Sequence, residues 1–152
     1  MNYMDKFTKA EITNRPAAVK ILKKLCGYHP RFTGWEFKET NASDKDRYDF
    51  WLEKDGKKIL IEHKARTYSK NRFDDWQFDG DKYDHLISQI KDDVIGVFYI
   101  NTFPDGCAIW NIKKDIGERR WSKPHNEKTV IASDLTQTYD IFYKLSEASY
   151  LE

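Results

Sequence analysis

Apolar residues along this chain follow two periods, one of strands and one of helices. In Arg47–Lys54 and Lys57–Lys64, the residues Phe50, Leu52, Ile59 and Ile61 hold alternate positions, which is the period of a strand. Between the two runs stands Asp55-Gly56, a dipeptide suited to a two-residue hairpin turn. That turn sets Lys54 opposite Lys57. Counting outward along both strands sets Asp49 opposite Glu62. One face is then apolar. The other carries Asp49, Trp51, Glu62 and Lys64, with Glu53 facing Lys58 near the turn. A slip of one residue would set Asp49 opposite His63 and mix the two faces.

Helical spacing governs two other segments. Ala18, Ile21, Leu22 and Leu25 form a stripe behind Asn14 as cap and Pro16 in the first turn, and Gly27 stops it. Asp79 caps a second helix with Tyr83, Leu86, Ile87 and Ile90 on its apolar face. Lys82, His85 and Gln89 share another face of it. Trp35 to Thr40 predicts a first strand, with Trp35, Phe37 and Glu39 on one side. Val94 to Ile100 is a near-continuous apolar run and predicts a strand buried on both faces. Pro104-Asp105-Gly106 turns it back into Cys107–Ile112. The stretches Arg66 to Trp76 and Lys113 to Lys123 read as loops, and Thr129–Ile131 as extended. Tyr139, Ile141, Tyr143 and Leu145 alternate as a late strand. The order is helix, three strands, helix, further strands, without internal repeat or linker.

Composition narrows this picture. A length of 152 residues suits a single domain, 1–152, and 15% aromatic residues can fill its core despite 34% charged ones. The formal net charge of +1 excludes a globally basic binder, so any nucleic-acid contact must come from local clusters. Cys26 and Cys107 are too few for a disulfide framework or an iron–sulfur cluster. His29, His63, His85 and His125 lack zinc-ligand spacing. No apolar signal region opens the chain, and its longest apolar run is far short of a membrane span. A cytoplasmic protein with no membrane partner is the expectation.

Two carboxylates held opposite each other repel unless a cation lies between them. Hard oxygen ligands suit Mg²⁺ or Mn²⁺. Lys64 lies two residues past Glu62 and shares its face, where it can act on a bound water or a phosphate. Asp49, the hairpin and Glu62-His63-Lys64 together resemble the PD-(D/E)xK nuclease superfamily, whose small phage and bacterial members include junction-resolving enzymes. The resemblance covers Asp49 to Lys64, and the flanking elements in order only. Tyr48 stands where the family's name has Pro, a position that supplies neither ligand nor proton.

The resemblance implies an α/β fold with a restriction-endonuclease-like core, a mixed central β-sheet flanked by helices. It implies Asp49 and Glu62 as metal ligands, the main-chain carbonyl of His63 as a third, and Mg²⁺ as cofactor with Mn²⁺ as substitute. Lys64 would be a base, a water-orienting group or a phosphate clamp. The implied activity is hydrolysis of DNA phosphodiester bonds in recombination, repair or defence, by a homodimer where both strands are cut. Such sites often add an acid from an N-terminal element, for which Glu11 and Glu39 are the residues in order.

For DNA contact, Arg66, Lys70 and Arg72 interleave with Tyr68, Phe73 and Trp76. Lys113, Lys114, Arg119, Arg120 and Lys123 surround Trp121. Basic residues beside aromatics suit phosphate contact and base stacking, and each one singly suits a solvated loop as well. Lys82 and Gln89 face either DNA or solvent. The His63 side chain falls on the face opposite Glu62 and is expected to pack. The competing reading is a non-catalytic nucleic-acid-binding or assembly module of the same fold, and a third is an interaction domain with a chance motif. Metal binding separates them, since a binding module has no need of the carboxylate pair.

Overall fold

In a computed structural model, which describes residues 16–27, 32–39, 50–112, 115–121 and 138–152, Asp55 and Gly56 both take positive φ, 51° and 76°. A two-residue hairpin turn of the primed kind needs that backbone. Strands β2 (Phe50–Lys54) and β3 (Lys57–Ala65) flank it and pair antiparallel from Lys54↔Lys57 to Phe50↔Ile61. The expected register therefore holds as far as Phe50. Asp49, Glu11, Asn14, Lys113, Lys114, Lys123 and Thr129–Ile131 lie outside the described residues.

Strand β1 (Glu36–Glu39) pairs antiparallel with β2. On the other side β3 runs parallel to β5 (Val94–Phe103), which pairs antiparallel with β6 (Gly106–Asn111), and β6 with β9 (Tyr150–Leu151). Among the described residues the sheet thus has six strands in the order β1-β2-β3-β5-β6-β9. A second sheet has three, β4 (Trp76–Asp79), β8 (Tyr139–Tyr143) and β7 (Glu118–Trp121), with β8 in the middle. β7 stands where a loop is expected from the sequence, and β4 starts at Trp76, the last residue of the other expected loop, a correction with a simple cause. Each has four residues, and every position of β7 is exposed, so there is too little alternation to register as a strand. Leu145 opens a 3₁₀ turn, Leu145–Glu147, and is not part of β8.

Both faces of the large sheet are covered. Helix α1, residues 16–27, buries Ala18, Leu22 and Leu25 against Phe50, Leu52, Ile59, Ile61, Phe98 and Ile100. On the opposite face Leu60, Val97, Tyr99 and Trp110 lie under Trp76, Phe78, Leu86, Ile141 and Tyr143. Leu86 belongs to α2 (Gly80–Ser88), and the other four to β4 and β8. As expected, β5 is buried along nearly its whole length, because a strand between two layers offers no face to water. The chain is an α/β protein, with a six-stranded mixed sheet, a three-stranded sheet and two helices among the described residues. Among the described residues no helix is long and apolar enough to cross a membrane.

Two contacts fix the start of α2. Asp79 is extended and its Oδ1 accepts the Lys82 N–H at 3.0 Å, the N-cap that the sequence predicts. The next residue after the cap, Gly80, lies so close to β8 that a Cβ there would meet the Tyr139 carbonyl oxygen at 2.0 Å. Further along, Tyr83, Ile87 and Ile90 pack on the core beside Leu86.

Candidate active site

Alternation along β3 places Leu60, Glu62 and Lys64 on the face that looks toward α2 and the small sheet. Leu60 is in the core, Glu62 sits at its margin with 7% of its surface exposed, and Lys64 is exposed. The parallel register sets Glu62 beside Tyr99 and Lys64 beside Asn101. From the first turn of α2, the Lys82 Nζ reaches Glu62 Oε1 at 2.7 Å. A carboxylate so buried needs a cation or donors, since desolvation is costly for an isolated charge.

Arg66 follows on the same edge. Its Nε donates to Asn101 Oδ1 at 2.6 Å, and its Nη2 donates to the Gln77 carbonyl at 2.7 Å and the Tyr99 hydroxyl at 3.0 Å. The Tyr99 hydroxyl in turn donates to the Gln77 carbonyl at 2.8 Å. Burial pushes the Tyr99 pKa up, with Arg66 working in the opposite direction, so the phenol stays a neutral donor. The guanidinium is thereby fixed through Nε and Nη2, and Nη1 makes no hydrogen bond among the described residues. A polar cleft of about 280 Å³ opens here, lined by Glu62, Lys64, Arg66, Gln77, Phe78, Asp79, Lys82 and Tyr99.

The sequence-predicted residues divide. Glu62, Lys64, Arg66 and Lys82 come together in this cleft. The His63 side chain is on the other face as expected, Nε2 at 2.9 Å from Thr102 Oγ1 and the ring against Phe50. The Arg66 N–H donates to Thr102 O on β5. Main-chain groups alternate sides along a strand, so those of Ile61 and His63 are directed to the β2 side. Glu39 pairs with Phe50, which pairs with Ile61. Directly opposed residues share a face, so Glu39 is on the α1 side and away from Glu62, a correction to its role as an extra acid.

The basic residues of the loops are mostly committed to the protein. The Lys70 N–H donates to Asp105 Oδ1 at 2.9 Å and its Nζ to the Glu152 carbonyl at 3.3 Å. Arg120 pairs with Asp75 and Glu118 and lies 4.1 Å over the Phe142 ring. Arg119 covers Tyr83 and Tyr139, and Arg72 covers Tyr68 and Phe73. Gln89 is the C-cap of α2, bonded to Ser88, and does not line the cleft. Tyr99, Asn101 and Gln77 are site residues that sequence reasoning misses. Tyr99 and Asn101 reach the site through parallel pairing across a long crossover, which no local pattern announces.

Glu62 supplies a hard oxygen donor at the cleft margin. Among the described residues no three His, Cys, Asp or Glu side chains gather closely enough to hold a metal ion. Asp79, the other acid of the cleft, is engaged as a helix cap. Lys64, Arg66 and Lys82 outnumber Glu62 and Asp79 there, so the cleft attracts anions such as phosphate. No protein-family model matches the chain, and no curated protein matches it either.

Proposed function

We propose that this chain is a metal-dependent deoxyribonuclease of the PD-(D/E)xK type, with a restriction-endonuclease-like core. One observation carries the reading: Glu62 and Lys64 leave one strand on one face and open, with Lys82 and Arg66, into a single polar cleft. Asp49 is covalently next to Phe50, whose partner Ile61 precedes Glu62. A Mg²⁺ ion held by Glu62, Asp49 and the His63 carbonyl would supply charge neutralisation at a phosphate and a more acidic water. Mn²⁺ suits the same oxygen donors.

The chain's own residues do the rest. Lys64 holds a phosphate oxygen or orients the attacking water. Arg66, immobilised through two of its nitrogens, offers Nη1 to the phosphate without reorganising. Lys82 balances Glu62, the acid that would hold the metal. Purified protein with Mg²⁺ or Mn²⁺ on linear, circular, single-stranded and branched DNA tests the reading. Cleavage is expected, falling at least a hundredfold in Lys64→Ala and Asp49→Asn on the scale of lost acid–base or electrostatic catalysis. Cleavage that survives both changes would sink it.

The Lys82–Glu62 pair favours a second reading. A carboxylate already balanced by an ammonium has less need of a metal, which fits a non-catalytic nucleic-acid-binding module. Calorimetric titration decides: Mg²⁺ or Mn²⁺ binding that is lost in Glu62→Gln supports the nuclease, and no binding supports the module.

A further inference from the structure

Beside the polar cleft lies a second hollow of about 370 Å³ with a different lining. Lys64, Arg66 and Gln77 border both. The rest of the second hollow is largely aromatic. Trp76 is buried at its base, while Tyr68 and Phe73 stand 52% and 48% exposed at its edge. The three rings form an edge-to-face chain, Tyr68 to Phe73 at 5.4 Å and Phe73 to Trp76 at 5.3 Å. Phe142 adds an aromatic ring from β8.

This loop is held in place. Ser69 Oγ donates to Asp105 Oδ2 at 2.7 Å, and the Lys70 N–H donates to the same carboxylate. Those two bonds tie the segment carrying Tyr68 and Phe73 to the turn between β5 and β6. The Arg72 guanidinium lies 5.8 Å from the Tyr68 centroid and 5.7 Å from that of Phe73. Rings anchored half in water forgo burial that would have been favourable, which marks them as a surface for something else to cover.

From this arrangement we infer that the hollow is a binding pocket for an unpaired nucleobase of a DNA strand whose phosphate lies at Lys64 and Arg66. The inference deepens the nuclease reading and rests on it for the identity of the nucleic acid. The volume is at the small end of the roughly 300–1,000 Å³ typical of ligand pockets, which fits one base with its sugar and not an extended peptide. The Tyr68, Phe73 and Trp76 rings that line the hollow suit a flat π-faced group. Gln77 and Asp75 border the hollow as well, but Gln77 Nε2 donates to Asp140 Oδ2 at 2.7 Å and Asp75 is paired with Arg120, so the rings rather than these groups would hold the base. Lys64 and Arg66, shared with the polar cleft, place an anionic linkage at the boundary. A base stacked here is out of its duplex, so the preferred substrate is single-stranded or has an unpaired nucleotide next to the cut.

The test is fluorescence anisotropy of the full chain in EDTA, with a short oligothymidylate and an abasic strand of equal length. Wild type is expected to bind the base-containing strand roughly tenfold more tightly, as stacking of a base gives. Tyr68→Ala with Phe73→Ala is expected to lose that preference and keep its affinity for the abasic strand. Phe73→Leu, a milder change at a half-exposed site, should reduce the preference in part. Equal binding of the two strands by wild type overturns the pocket, as does a preference unchanged in the double variant. Cleavage with Mg²⁺ is scored separately. Cleavage without base preference removes the pocket and leaves the nuclease; base preference without cleavage removes the nuclease and leaves the pocket.

Discussion

Glu62 and Lys82 concentrate the chemistry of this chain in one contact. The carboxylate is 7% exposed and the ammonium is 2.7 Å from it. Lys82→Met removes that ammonium from a buried acid. Because the lysine side chain is about half exposed, the loss should fall below that of a fully buried pair, at about 1–2 kcal/mol in urea unfolding with EDTA present. If Glu62 is a metal ligand, Mg²⁺ should recover most of the loss; melts that ignore Mg²⁺ in both proteins would speak against a site at Glu62. The face that Glu62 and Lys64 share is legible in the sequence from alternation and one turn. The partner of Glu62 is not. Lys82 has the spacing of a solvated helical face, and only the seating of α2 over β3 turns it inward.

At the scale of elements, glycine decides how α2 is seated. An alanine at Gly80 should raise stability by about 1 kcal/mol on helix propensity alone. The Tyr139 carbonyl stands 2.0 Å from where its Cβ would be, and main-chain atoms cannot swing aside. Gly80→Ala is therefore expected to destabilise by roughly 2–4 kcal/mol, read as a lower Tm by circular dichroism. A rise in Tm would mean that α2 and β8 are not packed this closely. The hairpin, the two helices and β5 can be read from the sequence because each carries its own period or turn. β4 and β7 cannot, since a four-residue strand gets its identity from its neighbour. Trp76 and Phe78 alternate over only two positions, and Glu118–Trp121 pairs with β8 while wholly exposed.

For the molecule as a whole, burial sets an alkaline limit. Cys107 is 1% exposed on β6, and its thiol is pushed up to about 11 by burial. The folded pKa is raised, so the contribution to stability is full below the unfolded value near 9. It is lost as pH rises from there through about 11, because only the unfolded thiol ionises in that window. Between about pH 8 and about pH 10.5, wild type should lose up to roughly 2 kcal/mol more than Cys107→Ala in denaturant titrations. Comparing the two proteins cancels the tyrosines that ionise in the same range. Equal losses would mean that the thiol reaches solvent. That β5 is buried on both faces is foreseeable from its apolar run. That it lies parallel to β3 is not, because a parallel pair leaves no turn signature between its strands.

That parallel pair also governs time. A two-residue turn closes β2 onto β3 within microseconds, and the short β5–β6 turn behaves alike. β3 and β5 can meet only after the chain between them, with β4 and α2, has folded back, and such distant contacts are slow to form. Glu62 gets its ammonium from α2, and Arg66 two of its acceptors from β5. A refolding chain should therefore show hairpin signal well before it has a cleft. The last step of folding and the first appearance of the site are one event.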